Sequence, residues 1–208
     1  MKLPISLANS KEWTLVGPMG PKVPEPLLAH PLLCVDGGAH FCARMDIWIG
    51  DGDSYQEIVN CENIFQFSPQ KAASDLSLAL SFFETSGPVV LHCWGFLGGR
   101  RDHEIFNFGE VLRFLEKSPG SQVYFYQADG TVSLTCVGSG EWPVSYKGTF
   151  SLASIKSVRI KLLGSCLYPL ENETDLHPLS SLGLSNFSEG QFTLTNLGPV
   201  MIFFSELN

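Results

Sequence analysis

Along the first 130 residues, short apolar runs alternate with breaks rich in glycine and proline. WTLV (13–16) reads as a strand, and the GPMGPKVPEP after it holds too much Pro and Gly for regular structure. PLLCV (31–35), DIWIG (46–50) and NIFQF (63–67) predict three more strands. In SDLSLALSFF (74–83) apolar residues fall at 76, 78, 79, 80, 82 and 83, which predicts a largely buried helix with Ser74 or a neighbour as N-cap. PVVLHCWGF (88–96) is apolar on both sides, as in a buried parallel strand. EIFNFGEVLRFLEK (104–117) predicts an amphipathic helix burying Ile105, Phe108, Val111, Leu112 and Leu115, and QVYFYQ (122–127) predicts a further strand.

Beyond residue 131 the pattern changes. TVSLTCV, GTFSLASI, SVRIKLLG, QFTLTNLG and PVMIFFSE are short β-rich segments separated by Gly, Ser, Asn and Pro, with no convincing helix among them. The expectation is an α/β domain with a doubly wound, mostly parallel sheet over 1–130, followed by a small all-β sandwich domain over 131–208. In doubly wound sheets ligands bind beyond the carboxyl ends of the strands. Three polar signatures fall at such ends: DGG (36–38), GDGDS (50–54) and GGRRDH (98–103).

Composition narrows the function. A net charge of -8 argues against a nucleic-acid partner, whose phosphates need a basic stripe, yet leaves room for a nucleotide held through magnesium. No apolar stretch reaches the length of a membrane span and MKLPISLANSKEW lacks an apolar signal core, so a cytoplasmic protein is expected. The six scattered cysteines contain no C-x-x-C pair and read as reduced core thiols.

Asp51 and Asp53 repel one another when both are ionised, and a divalent cation relieves that. An EF-hand fails, because Tyr55 takes the fifth loop position and no Glu closes the loop. A phosphatase with an aspartyl nucleophile and a magnesium–nucleotide enzyme both remain. Asp75 sits at a helix start, where it either caps or binds. In GGRRDH, Gly98 and Gly99 let backbone approach a ligand, Arg100 can grip phosphate, and Asp102 adds a carboxylate. The G-K-[ST] ending of a Walker A loop is missing.

In series, Asp36-Gly37-Gly38, Gly50-Asp51-Gly52-Asp53-Ser54, Lys71-Ala72-Ala73-Ser74-Asp75 and Gly98-Gly99-Arg100-Arg101-Asp102-His103 with Asn107 resemble the motifs of the thiamine pyrophosphokinase family. FSL (150–152), YPLEN (168–172) and GLSN (183–186) resemble signatures of its second domain. The resemblance implies a homodimer with active sites between subunits, transferring diphosphate from MgATP to the hydroxyl of thiamine and releasing AMP. It implies that Asp51, Asp53 and Asp75 hold Mg2+ and the phosphates, that Asp102 organises the metal site or the alcohol, and that Arg100 stabilises the group in transit. Asp36, Gly37, Gly38, Lys71, Ser74, Gly98, Gly99, His103 and Asn107 would line the nucleotide site, and Ser185 and Asn186 would meet thiamine.

Two departures from the family pattern matter, Gly52 for a phenylalanine and Ala72 for an acid, while Ser74 for a threonine keeps the hydroxyl. They admit a different acceptor, such as a pterin alcohol, or a member that binds without catalysis. Trp13, Trp48 and Trp94 read as core, Trp142 as core or a stacking surface, and His40 as a lining residue or a helix cap. His30, His92 and His177 show no metal-ligand spacing.

Overall fold

The computed structural model describes residues 1–52 and 61–205. Six strands form where the apolar runs place them: β1 (Glu12–Val16), β2 (Leu32–Val35), β3 (Ile47–Gly50), β4 (Asn63–Gln66), β5 (Val90–Trp94) and β6 (Gln122–Tyr126). They pair in parallel in the order β6-β5-β1-β2-β3-β4. The chain winds outward from β1 through β4, then returns to place β5 on the other side of β1. The order therefore switches direction between β1 and β5.

Helices α1 (Asp75–Ser81) and α2 (Arg101–Lys117) form as expected, and the Ser74 hydroxyl caps α1 by accepting the Ser77 N–H at 3.1 Å. Both pack on one face, where Leu76, Leu80, Val111, Leu112 and Leu115 share a core with Trp13, Leu15, Leu33, Ile49, Leu91 and Phe125. The opposite face, made by Val16, Cys34, Trp48 and Trp94, is covered by Val23, Leu27, Ala39 and Met45. This corrects the doubly wound expectation: the described residues put no α-helix on that second face. Pro18, Pro21, Pro24 and Pro26 cannot build a crossover helix after β1, and 3₁₀ turns at Glu25–Ala29 and Asp36–Phe41 do the covering. Ile105 is also corrected. It is exposed, as is Phe106, because the first turns of α2 border a cleft instead of packing on the sheet.

The second half follows as β7 (Val132–Val137), β8 (Gly140–Ala153), β9 (Val158–Cys166), β10 (Leu170–Leu176), β11 (Asn186–Asn196) and β12 (Val200–Ser205). A separate second sheet was expected. Instead β7 pairs antiparallel with β6, and one sheet continues as β7-β12-β8-β11-β9-β10, antiparallel throughout. Its own core consists of strand residues alone, with the Phe150 and Phe192 rings stacked at 4.3 Å. Leu134, Cys136 and Met201 instead join the core beneath the helices, so apolar packing also crosses from one half to the other. All six cysteines are free thiols. No helix of the described residues is long and apolar enough to cross a membrane.

Candidate active site

The carboxyl ends of β1, β2 and β5 open onto a cleft of about 540 Å³, straddling the point where strand order reverses. Pro18 and Met19 line it after β1, Val35 and Asp36 at the end of β2, residues from Pro69 to Leu76 at the start of α1, and Gly95 to Asn107 after β5. Of the residues singled out in the sequence, the cleft collects Asp36, Lys71, Ser74, Asp75, Gly98, Gly99, Arg100, His103 and Asn107. Asp53 and Ser54 lie outside the described residues.

The acidic side of the cleft is knit by one lysine. Lys71 Nζ lies 3.1 Å from Asp51 Oδ2 and 3.2 Å from Asp75 Oδ1, so Asp51 joins the cluster although it does not itself line the cleft. Burial pulls the Lys71 ammonium down, but hydrogen bonds and charge from Asp51 and Asp75 outweigh it and leave the group raised. For Asp75 burial wins instead: it lifts the carboxyl above the ordinary range despite Lys71. Both shifts express one situation, carboxylates taken out of water with a single ammonium between them.

Asp36 is held in a conformation uncommon for a residue with a side chain, φ 49°. The indole N–H of Trp48 donates to its carbonyl at 3.0 Å, fixing it at the end of β2. Its Oδ1 is buried and accepts no hydrogen bond from the described residues. A buried carboxylate oxygen without a donor is costly, and a cation is the natural complement. The oxygen-only donor set around Lys71 suits Mg2+ more than a softer metal.

On the opposite wall, Gly98 and Gly99 take φ of 87° and 79°, and the Glu104 carboxylate accepts the Gly98 N–H. This loop leads into the N-terminus of α2, where backbone N–H groups and the helix dipole favour a phosphate. Arg100 lines the cleft and grips Asp102 with both arms, Nε to Oδ1 at 3.1 Å and a second nitrogen to Oδ2 at 2.5 Å. That grip holds the exposed Asp102 carboxyl down at about 2. Asp102 therefore faces Arg100 and does not line the cleft. Gly37 and Gly38 are buried behind Asp36 and act through backbone packing.

The two departures from the motif have local explanations. Gly52 has φ 83°, and a Cβ there would meet the Gln66 amide at 2.8 Å; that amide instead donates to the Asp51 carbonyl at 3.1 Å. Ala72 is exposed and lies off the cleft lining. Ser185 (φ 55°) and Asn186 stand apart from the cleft, in the antiparallel half. The Asn186 amide bridges the Tyr168 backbone, accepting its N–H at 3.0 Å and donating to its carbonyl at 2.7 Å, so the YPLEN and GLSN segments are joined.

Comparison with solved structures matches this arrangement along nearly its whole length. A thiamine pyrophosphokinase from Bacillus subtilis aligns over 95% of this chain and 100% of its own, with a TM-score of 0.71 and 21% identity. The chain has the fold of the thiamine pyrophosphokinases. The Candida albicans enzyme matches with a TM-score of 0.69 at 15% identity, covering 97% of this chain and 92% of its own. The yeast enzyme gives 0.59 at 13%, covering 97% and 89%. No protein-family sequence model matches the chain, and neither does any curated protein sequence. Several cleft residues of this thiamine pyrophosphokinase fold carried no sequence signal: Pro18, Met19 and Phe96 in its walls. The supports Trp48 and Gln66 were equally silent, since a strand tryptophan reads as core and a strand glutamine as surface.

Proposed function

We propose that the chain is a member of the thiamine pyrophosphokinase family and transfers diphosphate from MgATP to an alcohol, thiamine being the favoured acceptor. The observation that carries this reading is the cleft itself. Sequence segments far apart converge at the switch point to set three carboxylates and a lysine opposite a glycine loop, an arginine and a helix N-terminus.

In this reading the attacking hydroxyl oxygen bonds to the β-phosphorus and gives up its proton to water as the bond from that phosphorus to the α-phosphate oxygen breaks, and AMP leaves with the electron pair. Asp51 and Asp75, joined by Asp53, would hold Mg2+, which when bound neutralises phosphate oxygens. Lys71 balances the carboxylates and can turn its ammonium toward incoming phosphates. The Gly98–Gly99 backbone and the start of α2 cradle the phosphate chain, and Arg100 meets the charge that builds on the diphosphate in flight. Asp102, with its carboxyl held at about 2, is a poor proton acceptor and serves to aim Arg100. His103 and Asn107 complete the wall on the next turns of α2.

Residues 1–130 would supply the nucleotide site and 131–208 the thiamine and dimer surfaces, in a cytoplasmic homodimer. Exposed Leu167, Tyr168, Leu182 and Leu184 around Ser185 support a contact with a second copy there. The test is to incubate the protein with MgATP and an acceptor and to identify the nucleotide formed. Acceptor-dependent AMP supports diphosphate transfer; ADP or free phosphate alone contradicts it. A hydroxymethylpterin run beside thiamine decides the acceptor.

A further inference from the structure

The polar cluster with the clearest ligand geometry outside the cleft lies on the face of the sheet away from α1 and α2. Glu12 opens β1, His30 stands just before β2, and His92 sits inside β5, beside Thr14 of β1 in the parallel register. Glu12 and His30 lie at the amino ends of β1 and β2 and His92 at the middle of β5, whereas the cleft lies at the carboxyl ends. His92 is the polar exception in the otherwise apolar strand VLHCW, and it is buried.

We propose that Glu12, His30 and His92 form a binding site for a divalent metal ion of the zinc class. One ligand atom from each lies within 4.8 Å of the others. Glu12 Oε1 is 2.8 Å from His92 Nε2 and 3.6 Å from His30 Nε2. A tetrahedral zinc ion with bonds of about 2.0–2.2 Å sets neighbouring ligand atoms about 3.3–3.5 Å apart, and the two observed separations bracket that value. Two imidazoles and one carboxylate are a zinc donor set, with the remaining position open to water.

The surroundings supply what a ligating imidazole needs. The Tyr126 hydroxyl lies 2.7 Å from His92 Nδ1, so a proton on Nδ1 can be donated to it while Nε2 keeps its lone pair for the metal. The His92 ring is stacked between His30, at 4.9 Å between centroids, and Tyr124, at 5.5 Å, which fixes its plane. The His30 and His92 rings are nearly parallel, at 11°, so His30 must turn about its Cβ–Cγ bond to aim its lone pair; its side chain is partly exposed. Glu12 is exposed and gives the ion a way in. The ion would clip β1, the turn before β2 and β5 together.

The probe is Zn2+ alone, added to the full chain in excess Mg2+ so that the oxygen-rich cleft is occupied by the harder ion. Long-range ¹H–¹⁵N spectra of the histidine rings are expected to show His30 and His92 moving with added zinc, and His40, His103 and His177 unmoved. Equilibrium dialysis is expected to give a single ion per chain, with affinity at least about tenfold weaker in Glu12→Gln and His30→Ala. Co2+ in the same site is expected to lack a thiolate charge-transfer band, separating it from Cys34, Cys42 and Cys61. Unmoved His30 and His92 resonances, undiminished affinity in both variants, or a thiolate band would each overturn the proposal. The ring spectra use the unaltered protein, so they decide the matter even if a variant fails to fold.

Discussion

Asp75 shows at the scale of one residue how function and stability pull apart. Burial raises its carboxyl above the ordinary range, so the folded chain holds that proton more firmly than the unfolded chain does. The stability this brings is present at acid pH and lost as pH rises through the raised value. At neutral pH without divalent ions, Asp75→Asn should leave Tm unchanged or raise it, and should flatten this part of the pH dependence in thermal melts. The same variant should lower magnesium-dependent turnover by about 10²-fold or more, since it removes a carboxylate proposed to hold the Mg2+ that neutralises the phosphates. A fall in Tm with turnover intact would contradict both assignments. Trp48 acts one step back: Trp48→Phe removes the hydrogen bond to the Asp36 carbonyl, which should cost about 1 kcal/mol in denaturant unfolding and lower turnover as Asp36 loosens.

At the scale of the elements, the loops after β1, β2 and β5 can meet at the cleft only because their backbones touch. A Cβ on Gly38 would lie 2.0 Å from the Val16 carbonyl oxygen, which cannot move without breaking β1. Gly38→Ala should therefore destabilise by about 3 kcal/mol or more, read as a large fall in Tm or insoluble protein. Gly98 has open space around it and only its φ of 87° to defend. Gly98→Ala should cost about 1 kcal/mol, leave the fold intact and impair nucleotide binding. Such contrasts mark what the sequence could tell. Strands β1, β2, β3 and β5 were legible because burial on both faces leaves unbroken apolar runs, and the cleft residues because they punctuate the ends of such runs. β10, LENETDL, was not legible: it is the outermost strand, mostly exposed, and carries no apolar alternation. Glu12, His30 and His92 stand too far apart for spacing to mean anything, and only the pairing of β1 with β2 and β5 brings them together.

As a whole molecule, the described residues are organised around a single sheet whose two halves differ in strand direction and share packing. β7 completes the edge of β6, and Leu134, Cys136 and Met201 fill the core beneath the helices. A fragment ending at residue 130 would bare the β6 edge and open that core, so it should lack a cooperative thermal transition and aggregate; a sharp two-state melt would show the halves to be independent. The exposed apolar rim near Ser185 is the proposed contact with a second copy. In the proposed homodimer, Leu184→Asp should shift the sedimenting species from dimer to monomer and reduce turnover with it; a wild-type chain that sediments as a monomer would contradict the proposal. Whether this cleft moves a diphosphate is decided with ATP labelled in its γ-phosphate, Mg2+ and thiamine. The expected result is label in thiamine diphosphate with one AMP formed for each; label in thiamine monophosphate with ADP, or in free phosphate with thiamine unchanged, would contradict it.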